Sequence, residues 1–391
     1  MSITFSRTLC ASAFALGLAV TGAAQAEPGV SADTILFGQS AALEGPAGAL
    51  GSGMREGLLA AFEEANRAGG VAGRQLQLKS YDDGYEPERA IAETTRLIEQ
   101  DQVFALIGAV GTPTSKAAQP ISTEAQVPFI GPFTGAGFLR NPDLGNVVNV
   151  RATYDQETEA WIKHLTEDLG YDRIAILYQD DSFGRVGLAG VQKALEKRGL
   201  SLAAEGTYKR NTTAVKSALL KIRKADPQAV VMVGAYKPIA EFIKLSRKVK
   251  LDATFVNISF VGSKALAKEL GPDGAGVVIT QVVPFPWDSS VPLVARYQEA
   301  LKAHNPNAEP GFVSLEGYMV GRMAIMALEQ VEGEITREKL IQAIAQTGGF
   351  DLGGVTLTYG PGDTQGMDDV FLTVIQPDGS FKAVERLGGT S

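Results

Sequence analysis

Residues 103–115 read VFALIGAVGTPTS and join a continuous apolar run to the signals of a helix start. An apolar run without alternating polar positions is typical of a strand that is buried on both faces, as in a parallel sheet. Pro113 suits the first turn of a helix, where a missing N–H group costs nothing, and Thr112 is expected to cap that helix. The segment therefore predicts a buried parallel strand that leads directly into a helix.

The same alternation of strand and helix recurs along the chain. Further strand-like runs lie at residues 34–38, 76–81, 127–131, 147–150, 173–178, 229–233, 254–258 and 277–283. Helical patterns lie between and after them, from 54–67 to 337–346. Strands that alternate with helices imply parallel sheets with helices on both faces. So many strands exceed one compact doubly wound unit, and we predict an α/β fold with two similar lobes.

Residues 1–26 have the features of a secretory signal peptide. Arg7 is their only charged residue, an apolar run follows at 9–20, and Ala24-Gln25-Ala26 forms a small-x-small cleavage site. The apolar run is too short to cross a bilayer comfortably, since a spanning helix needs about 20 apolar residues. We therefore predict that residues 1–26 are cleaved and that the mature chain is exported without inserting into a membrane.

Composition and motifs exclude several classes of protein. The 391 residues are 45% hydrophobic, which excludes a disordered chain, and the net charge of −8 argues against nucleic acid as a partner. The sequence lacks H-E-x-x-H, G-x-S-x-G and phosphate-loop motifs as well as any cysteine cluster. We predict a binding protein that needs no cofactor or metal and is not an enzyme. A hydrolase using Ser or paired Asp is an alternative that lacks a base beside its nucleophile.

The predicted fold indicates where a ligand binds. In parallel sheets, ligands lie outside the carboxyl ends of the strands, where the next helix presents unpaired N–H groups. Such junctions fall at residues 111–115, 131–137, 180–184 and 234–238. The hydroxyls and the helix start in the first of them can hold a carboxylate, although an ordinary capped helix fits the same residues. Each aromatic residue in the other junctions fits simple packing equally well.

A series of short phrases then resembles a known family, the leucine/isoleucine/valine-binding proteins among the type I solute-binding proteins of ABC transporters. The phrases are ILFG at 35–38, GP at 45–46, NRAGGVAGR at 66–74, YDD at 81–83, LIG at 106–108, PFIGP at 128–132, RIAILY at 173–178 and FG at 183–184. Each phrase is short, but their order and spacing cover nearly all of residues 31–388.

The resemblance implies two Rossmann-like lobes with parallel sheets, joined by a three-crossing hinge, with the ligand bound between them. The crossings are expected near residues 149–152, 279–282 and 354–358. Lobe 1 would then comprise residues 27–150 plus 282–355, and lobe 2 residues 151–281 plus 356–391.

The resemblance also assigns candidate ligand-binding residues. The hydroxyl that holds the ligand carboxylate falls on Thr112, and the aromatic residues that cover the ligand from lobe 2 fall on Phe183 and Tyr236. A disulfide of some members falls on Tyr85 and Gly111, which implies that Tyr85 stands beside Thr112. The full set of candidates is Thr112, Phe133, Thr134, Gly135, Phe183, Tyr236, Ser259, Tyr85 and Tyr154.

Ser259 is the main departure from the family pattern. The acid that pairs with the ligand ammonium falls on this residue, and a serine cannot neutralise a buried positive charge. Two interpretations follow: the ligand lacks an ammonium group, or another acid such as Glu44 supplies the negative charge.

The resemblance implies a periplasmic substrate-binding component of an ABC importer. Its ligand would be a small amino-acid-like, amide or carboxylate solute, and its partner an ABC permease in the inner membrane. The alternative is a binding protein of the same fold that reports ligand occupancy to a receptor or regulator.

Overall fold

The computed structural model describes Ser2 and residues 27–388. Apart from Ser2, the predicted signal peptide at residues 1–26 lies outside the described residues. Within the described part of the chain, we find no helix with the length and hydropathy that a bilayer crossing requires.

Strands and helices alternate as the sequence predicts. The strands are β1 (Thr34–Ala41), β2 (Gln75–Asp82), β3 (Ala105–Ile107), β4 (Phe129–Ile130), β5 (Val147–Val148), β6 (Ile174–Gln179), β7 (Ala204–Tyr208), β8 (Ala229–Val233), β9 (Thr254–Asn257), β10 (Val278–Gln281), β11 (Phe350–Asp351), β12 (Thr356–Leu357), β13 (Phe371–Ile375) and β14 (Phe381–Val384). The helices are α1 (Gly48–Arg67), α2 (Pro87–Glu99), α3 (Thr112–Glu124), α4 (Tyr154–Lys163), α5 (Ser182–Glu196), α6 (Lys216–Lys224), α7 (Tyr236–Lys248), α8 (Ser263–Leu270), α9 (Pro292–His304), α10 (Phe312–Glu329) and α11 (Arg337–Gln346).

The first lobe is built on a parallel sheet with the spatial order β2-β1-β3-β4-β5. Leu106 in β3 pairs with Gly38 on one side and with Phe129 on the other. A further parallel bridge joins Val110 to Phe133 beyond the ends of β3 and β4. This register brings the loops that follow β3 and β4 side by side at the carboxyl edge of the sheet.

The second lobe is built on a larger sheet with the order β14-β13-β10-β9-β8-β6-β7. The strands from β6 to β10 are parallel, whereas β13 and β14 run antiparallel at one edge. The core strands are continuous apolar runs such as β8, in which every residue is buried, as expected for a sheet covered by helices on both faces. The predicted class, two α/β lobes with parallel sheets, is therefore confirmed.

The chain passes between the two sheets after β5, after β10 and after the small β11–β12 hairpin. The first and last passages lie side by side, because Asn149 bridges to Gln365 and its carbonyl accepts a hydrogen bond from the Tyr359 hydroxyl at 2.8 Å. The hairpin occupies residues 350–357 and so includes most of the range 354–358 in which the sequence places the third crossing; the passage itself follows the hairpin, and the chain joins the second sheet at Phe371.

Helix α10 packs unusually closely on α1. A Cβ added at Gly57 would lie 1.9 Å from the carbonyl oxygen of Ser314, and one added at Gly317 would lie 2.3 Å from that of Met54. Only glycine permits this approach of two helix backbones. The contact fixes the position of Glu316, which precedes Gly317 and faces the hinge.

Some secondary-structure elements are not predicted from the sequence, for a physical reason. Strand β7 reads AEGTY and lies at the sheet edge, where only part of its surface is buried, so it lacks a continuous apolar run. Strands β11 to β14 and helix α8 were likewise not predicted.

The predicted N-cap of α3 is corrected by the structure. Gly111, with a φ of 100°, is the N-cap of α3, and Thr112 is the first residue of the helix.

Candidate ligand-binding site between the lobes

Two buried hydroxyls from lobe 1 form the centre of the candidate site. The Oγ1 atoms of Thr112 and Thr134 lie 2.7 Å apart, and both side chains are fully buried. Thr112 follows β3 and Thr134 follows β4, so the parallel register places them together. Because Gly111 caps α3 without a side chain, the Thr112 hydroxyl is not engaged in capping.

Tyr85 lies beside Thr112, as the resemblance implies. A Cβ added at Gly111 would lie 2.2 Å from Cε2 of Tyr85, so the tyrosine ring packs directly on the glycine. The side-chain amide of Gln179 in lobe 2 donates to the Tyr85 hydroxyl at 3.3 Å. Burial raises the pKa of Tyr85 well above its usual value, so this phenol is neutral. Tyr85 is therefore a neutral wall residue that contacts both lobes.

An aromatic cluster of five residues lies between the lobes. Phe260 of lobe 2 lies at its centre, with ring centroids 5.8 Å from Tyr85, 5.3 Å from Phe133 and 4.7 Å from Phe183. Tyr154 completes the cluster at 5.4 Å from Phe183. All five side chains are buried. Such edge and tilted pairs stabilise a closed interface beyond their burial alone.

Gly135 and Tyr154 are in direct contact at the first hinge passage. The Tyr154 N–H donates to the Gly135 carbonyl at 2.8 Å, and a Cβ on Gly135 would lie 2.7 Å from that same nitrogen. The Tyr154 hydroxyl is buried and has no hydrogen-bond partner among the described residues. Burial raises the pKa of Tyr154, while Arg151 and the hydroxyls of Thr134 and Thr112 partly oppose that shift. Its neutral hydroxyl therefore lies beside the hydroxyls of Thr134 and Thr112.

Tyr236 lies apart from the aromatic cluster. It is the first residue of α7, and its hydroxyl accepts a hydrogen bond from the Ala49 N–H of lobe 1 at 3.4 Å. A cavity of about 500 Å³ opens nearby along the seam between the lobes, and its lining includes Leu50, Lys264 and Phe312. Tyr236 therefore links the lobes at this seam.

A buried ion pair lies at the base of the cleft, where the first hinge passage enters α4. Nη2 of Arg151 donates to Oε1 of Glu157 at 2.8 Å, and both side chains are essentially unexposed. The Ser259 N–H and hydroxyl each donate to Glu157 at 2.8 Å, and the Thr280 hydroxyl donates at 2.5 Å. We call these four residues the hinge network.

Ser259 is thus part of the hinge network rather than an isolated wall residue. It donates to Glu157, and its hydroxyl oxygen accepts a hydrogen bond from Arg151. A carboxylate does lie next to position 259, but it comes from Glu157 on α4. Glu44, the acid that the second interpretation names, is exposed, in contrast to the buried Glu157.

Two further charged groups border the hinge network. Oε2 of Glu316 lies 3.6 Å from Nη1 of Arg151, which is an ion pair beyond hydrogen-bond distance. Burial raises the pKa of Glu316 to about 7, against the opposing effect of Arg151. Desolvation lowers the pKa of Arg140, the next guanidinium, to about 9.

The lobes are closed around these groups. Arg210 of lobe 2 forms a 2.7 Å ion pair with Glu86 of lobe 1, and also pairs with Asp181 at 2.8 Å. The side-chain amide of Asn211 donates to the carbonyl of Gly84 and to Glu86. These contacts lie at the rim of the cleft, so the buried cluster and its polar groups are shielded from solvent.

Sequence reasoning did not find Arg151, Glu157 and Phe260. One signal was available for Glu157: it shares a helix face with Tyr154, Thr158 and Trp161, all of which are buried. A charged residue on the apolar face of a helix predicts a buried partner. No pattern in the sequence indicated that Phe260 lies in the centre of the cleft.

Comparison with known proteins fits this geometry. The family model described as periplasmic binding protein matches residues 34–380. The chain belongs to this family. This binding protein is 40% identical to a possible leucine/isoleucine/valine-binding protein from Rhodopirellula baltica SH 1, a match that covers 91% of this chain and 98% of that one with a TM-score of 0.87.

Two other relatives are more distant. A substrate-binding periplasmic protein from Ralstonia solanacearum is 27% identical, with a TM-score of 0.84 and coverage of 90% of this chain and 100% of that one. A leucine-, isoleucine-, valine-, threonine- and alanine-binding protein from Pseudomonas aeruginosa is 25% identical over 81% of this chain and 83% of that protein. Members of the family bind solutes and are not enzymes, so the prediction of a non-enzymatic binding protein is confirmed.

Proposed function

We propose that this protein is the periplasmic substrate-binding component of an ABC importer and that it closes on a small amino-acid-like, amide or carboxylate solute. The observation that carries the proposal is the pair of buried hydroxyls, Thr112 and Thr134, at the edge of one sheet and next to Phe133, which packs on Phe260 of the other lobe. The printed names of the relatives, which include leucine, isoleucine and valine binding, support a ligand of this size.

The role proposed for each residue follows from its position in the fold. Lobe 1 contributes the polar contacts of Thr112 and Thr134 and the wall formed by Tyr85, Phe133 and Gly135. Lobe 2 contributes Phe183 and Ser259, while Tyr154 stands at the hinge and Tyr236 holds the closed seam. We retain 27–150 plus 282–355 and 151–281 plus 356–391 as the proposed lobes.

Closure is the proposed signal to the permease. The contacts between Arg210 and Glu86 and between Tyr236 and Ala49 form only when the lobes meet. A ligand that contacts both lobes favours the closed state by its differential affinity. The permease would then recognise the outer surface of the closed form.

Ligand binding is tested first. The purified protein is unfolded and refolded to remove retained solute, the released solute is identified by mass spectrometry, and a panel of amino acids, amides and carboxylates is titrated by calorimetry. We expect at least one class to bind, and small-angle scattering of that complex to show a smaller radius of gyration. A protein that binds ligand with no change in scattering would contradict hinge closure.

Transport is tested separately. A strain deleted for this protein should lose uptake of the identified solute, and the intact gene should restore it. Unchanged uptake together with a lost transcriptional response to the solute would overturn the importer proposal in favour of the sensing alternative.

A further inference from the structure

We infer that the solute is a carboxylate without an ammonium group, and that the Arg151 guanidinium anchors it together with the hydroxyls of Thr112 and Thr134. This inference rests on the proposed function and narrows it. It follows from which hydrogen-bond donors and acceptors in the cleft have no partner among the described residues.

Glu157 has no acceptor capacity left for a ligand. A carboxylate offers about four lone-pair positions. Oε1 accepts from Arg151 and from the Ser259 hydroxyl, and Oε2 accepts from the Ser259 N–H and from Thr280. The acid next to position 259 is therefore saturated by donors of the protein itself and cannot receive an ammonium.

The acid at the opposite end of the aromatic cluster is also engaged. Oδ1 of Asp181 accepts the Phe183 N–H at 3.0 Å, and Oδ2 accepts from Gln179 and Arg210, each at 2.8 Å. Its charge is balanced by the Arg210 guanidinium. An ammonium at this end would compete with a guanidinium that is already in place.

Glu316 does not provide a free negative charge either. It faces the guanidinium groups of Arg151 and Arg140, so its charge is offset on both sides. With two arginines and with Glu157 and Glu316, the group carries no net negative charge at neutral pH. An ammonium placed here would find no carboxylate free to pair with it, which is costly for a buried charge, whereas a ligand carboxylate can pair with the unused N–H groups of Arg151.

Free donors, in contrast, are present. Nε and Nη1 of Arg151 are buried and have no hydrogen-bond partner among the described residues. The guanidinium lies 5.3 Å from the Phe133 ring centroid and 5.6 Å from that of Tyr154, so it borders the aromatic cluster. The Tyr154 hydroxyl is likewise unpartnered. A buried guanidinium with unused N–H groups is a charge-assisted donor that suits a carboxylate oxygen.

Matched ligand pairs test the inference. Leucine is compared with 4-methylpentanoate, and phenylalanine with 3-phenylpropanoate, because each pair shares a carbon skeleton and differs only in the ammonium. We expect at least one ammonium-free member to bind, and to bind about 100-fold more tightly than its amino acid, since an unpaired buried charge is strongly rejected.

Two variants separate anchoring from folding. Arg151→Lys keeps a cation beside Glu157 but removes the free guanidinium N–H groups, and we expect it to weaken carboxylate binding about tenfold or more. The double substitution Glu157→Gln/Ser259→Glu moves the acid to position 259, where it can face the ligand. We expect this variant to bind the amino acid of each pair better than the wild type does. Circular dichroism verifies that each variant is folded.

The outcomes distinguish the inference from the proposed function. Amino acids that bind as tightly as their ammonium-free partners would overturn the inference and leave the proposed function in place. Unchanged carboxylate affinity in a folded Arg151→Lys protein would remove Arg151 as the anchor. Failure of every member of the calorimetric panel and of both pairs to bind would overturn the inference and the proposed function together.

Discussion

The Thr112–Thr134 pair and the hinge network lie in one cleft but are built from different chemistry. The pair consists of neutral hydroxyls on two loops that follow adjacent strands of a single sheet. The hinge network consists of buried charges brought together from the first passage, α4, the end of β9 and β10. A hydroxyl pair can lose one member at modest cost, whereas a buried ion pair cannot, because the remaining charge is left without a partner.

The largest expected effect comes from breaking the hinge network. Glu157→Ala removes the hydrogen-bonded carboxylate of the buried Arg151 guanidinium and leaves only Glu316, at 3.6 Å, and we expect it to lower the free energy of unfolding by roughly 3–5 kcal/mol. Urea denaturation followed by tryptophan fluorescence measures this. Trp161 is a suitable reporter because its indole N–H donates to Thr280 at 3.1 Å.

Glu167→Ala is the matched control for that measurement. Glu167 pairs with Arg198 at 3.4 Å on the surface, with 55% of its side chain exposed. Such an exposed ion pair contributes about 0–1 kcal/mol to the free energy of unfolding. Equal effects of the two substitutions would show that the buried pair has no special role.

The second prediction concerns the pH dependence of stability. The pKa of Glu316 is about 7 in the folded protein, above the ordinary value for glutamate, so the unfolded chain releases this proton first as the pH rises. Stability from this group is therefore present at acidic pH and is lost between about pH 4.5 and pH 7, by roughly 3 kcal/mol in total.

Glu316→Gln isolates that contribution. Asp83, whose pKa burial raises to about 6, contributes in an overlapping window in both proteins and cancels in the comparison. We expect the variant and the wild type to be equally stable at pH 4, and the variant to be more stable at pH 8. The free energy of unfolding of both proteins is measured by urea denaturation at each pH. If it changed with pH in the same way in the variant and the wild type, the result would contradict a buried carboxyl beside Arg151.

The third prediction concerns the hydroxyl pair. Thr112→Ala removes a buried donor, and we expect it to weaken carboxylate binding by roughly 1–3 kcal/mol. Calorimetry with the tightest ligand of the panel measures the change. Thr123→Ala, at the other end of α3, is the control because Thr123 bonds to Asn146 away from the cleft. Equal affinities in both variants would exclude Thr112 from the site.

The smallest expected effect is at the rim. Glu86→Ala removes the ion pair with Arg210 but leaves Arg210 paired with Asp181; the side chains of Glu86 and Arg210 are 44% and 20% exposed. Partial exposure limits such a pair to about 1 kcal/mol or less. We expect little loss of stability but a larger radius of gyration by scattering in the absence of ligand, because the open form is favoured. An unchanged radius would indicate that the aromatic cluster alone sets closure.

The difference between the two regions also explains what could be predicted from the sequence. Thr112 and Thr134 follow strands that are recognisable as apolar runs, so their position at the sheet edge follows from local pattern. Arg151 and Glu157 interact through the hinge geometry and with Ser259, more than a hundred positions along the chain. Local periodicity cannot report such a contact, although a charged residue on the buried face of α4 signals that one exists.

The same reasoning applies to the fold. Central strands such as β8 are continuous apolar runs and were predicted, whereas β7, at the edge, is partly polar and was not. The cap of α3 was misassigned because Thr112 fits an N-cap by type, while Gly111 takes that position by virtue of its positive φ.

The most direct test is a crystal structure of the protein with its retained solute. We predict a carboxylate between the lobes, with its oxygens within hydrogen-bond distance of the Thr112 and Thr134 hydroxyls and of the Arg151 guanidinium. A solute bound instead in the seam cavity beside Leu50 and Phe312, with the aromatic cluster unchanged, would contradict this assignment of the site.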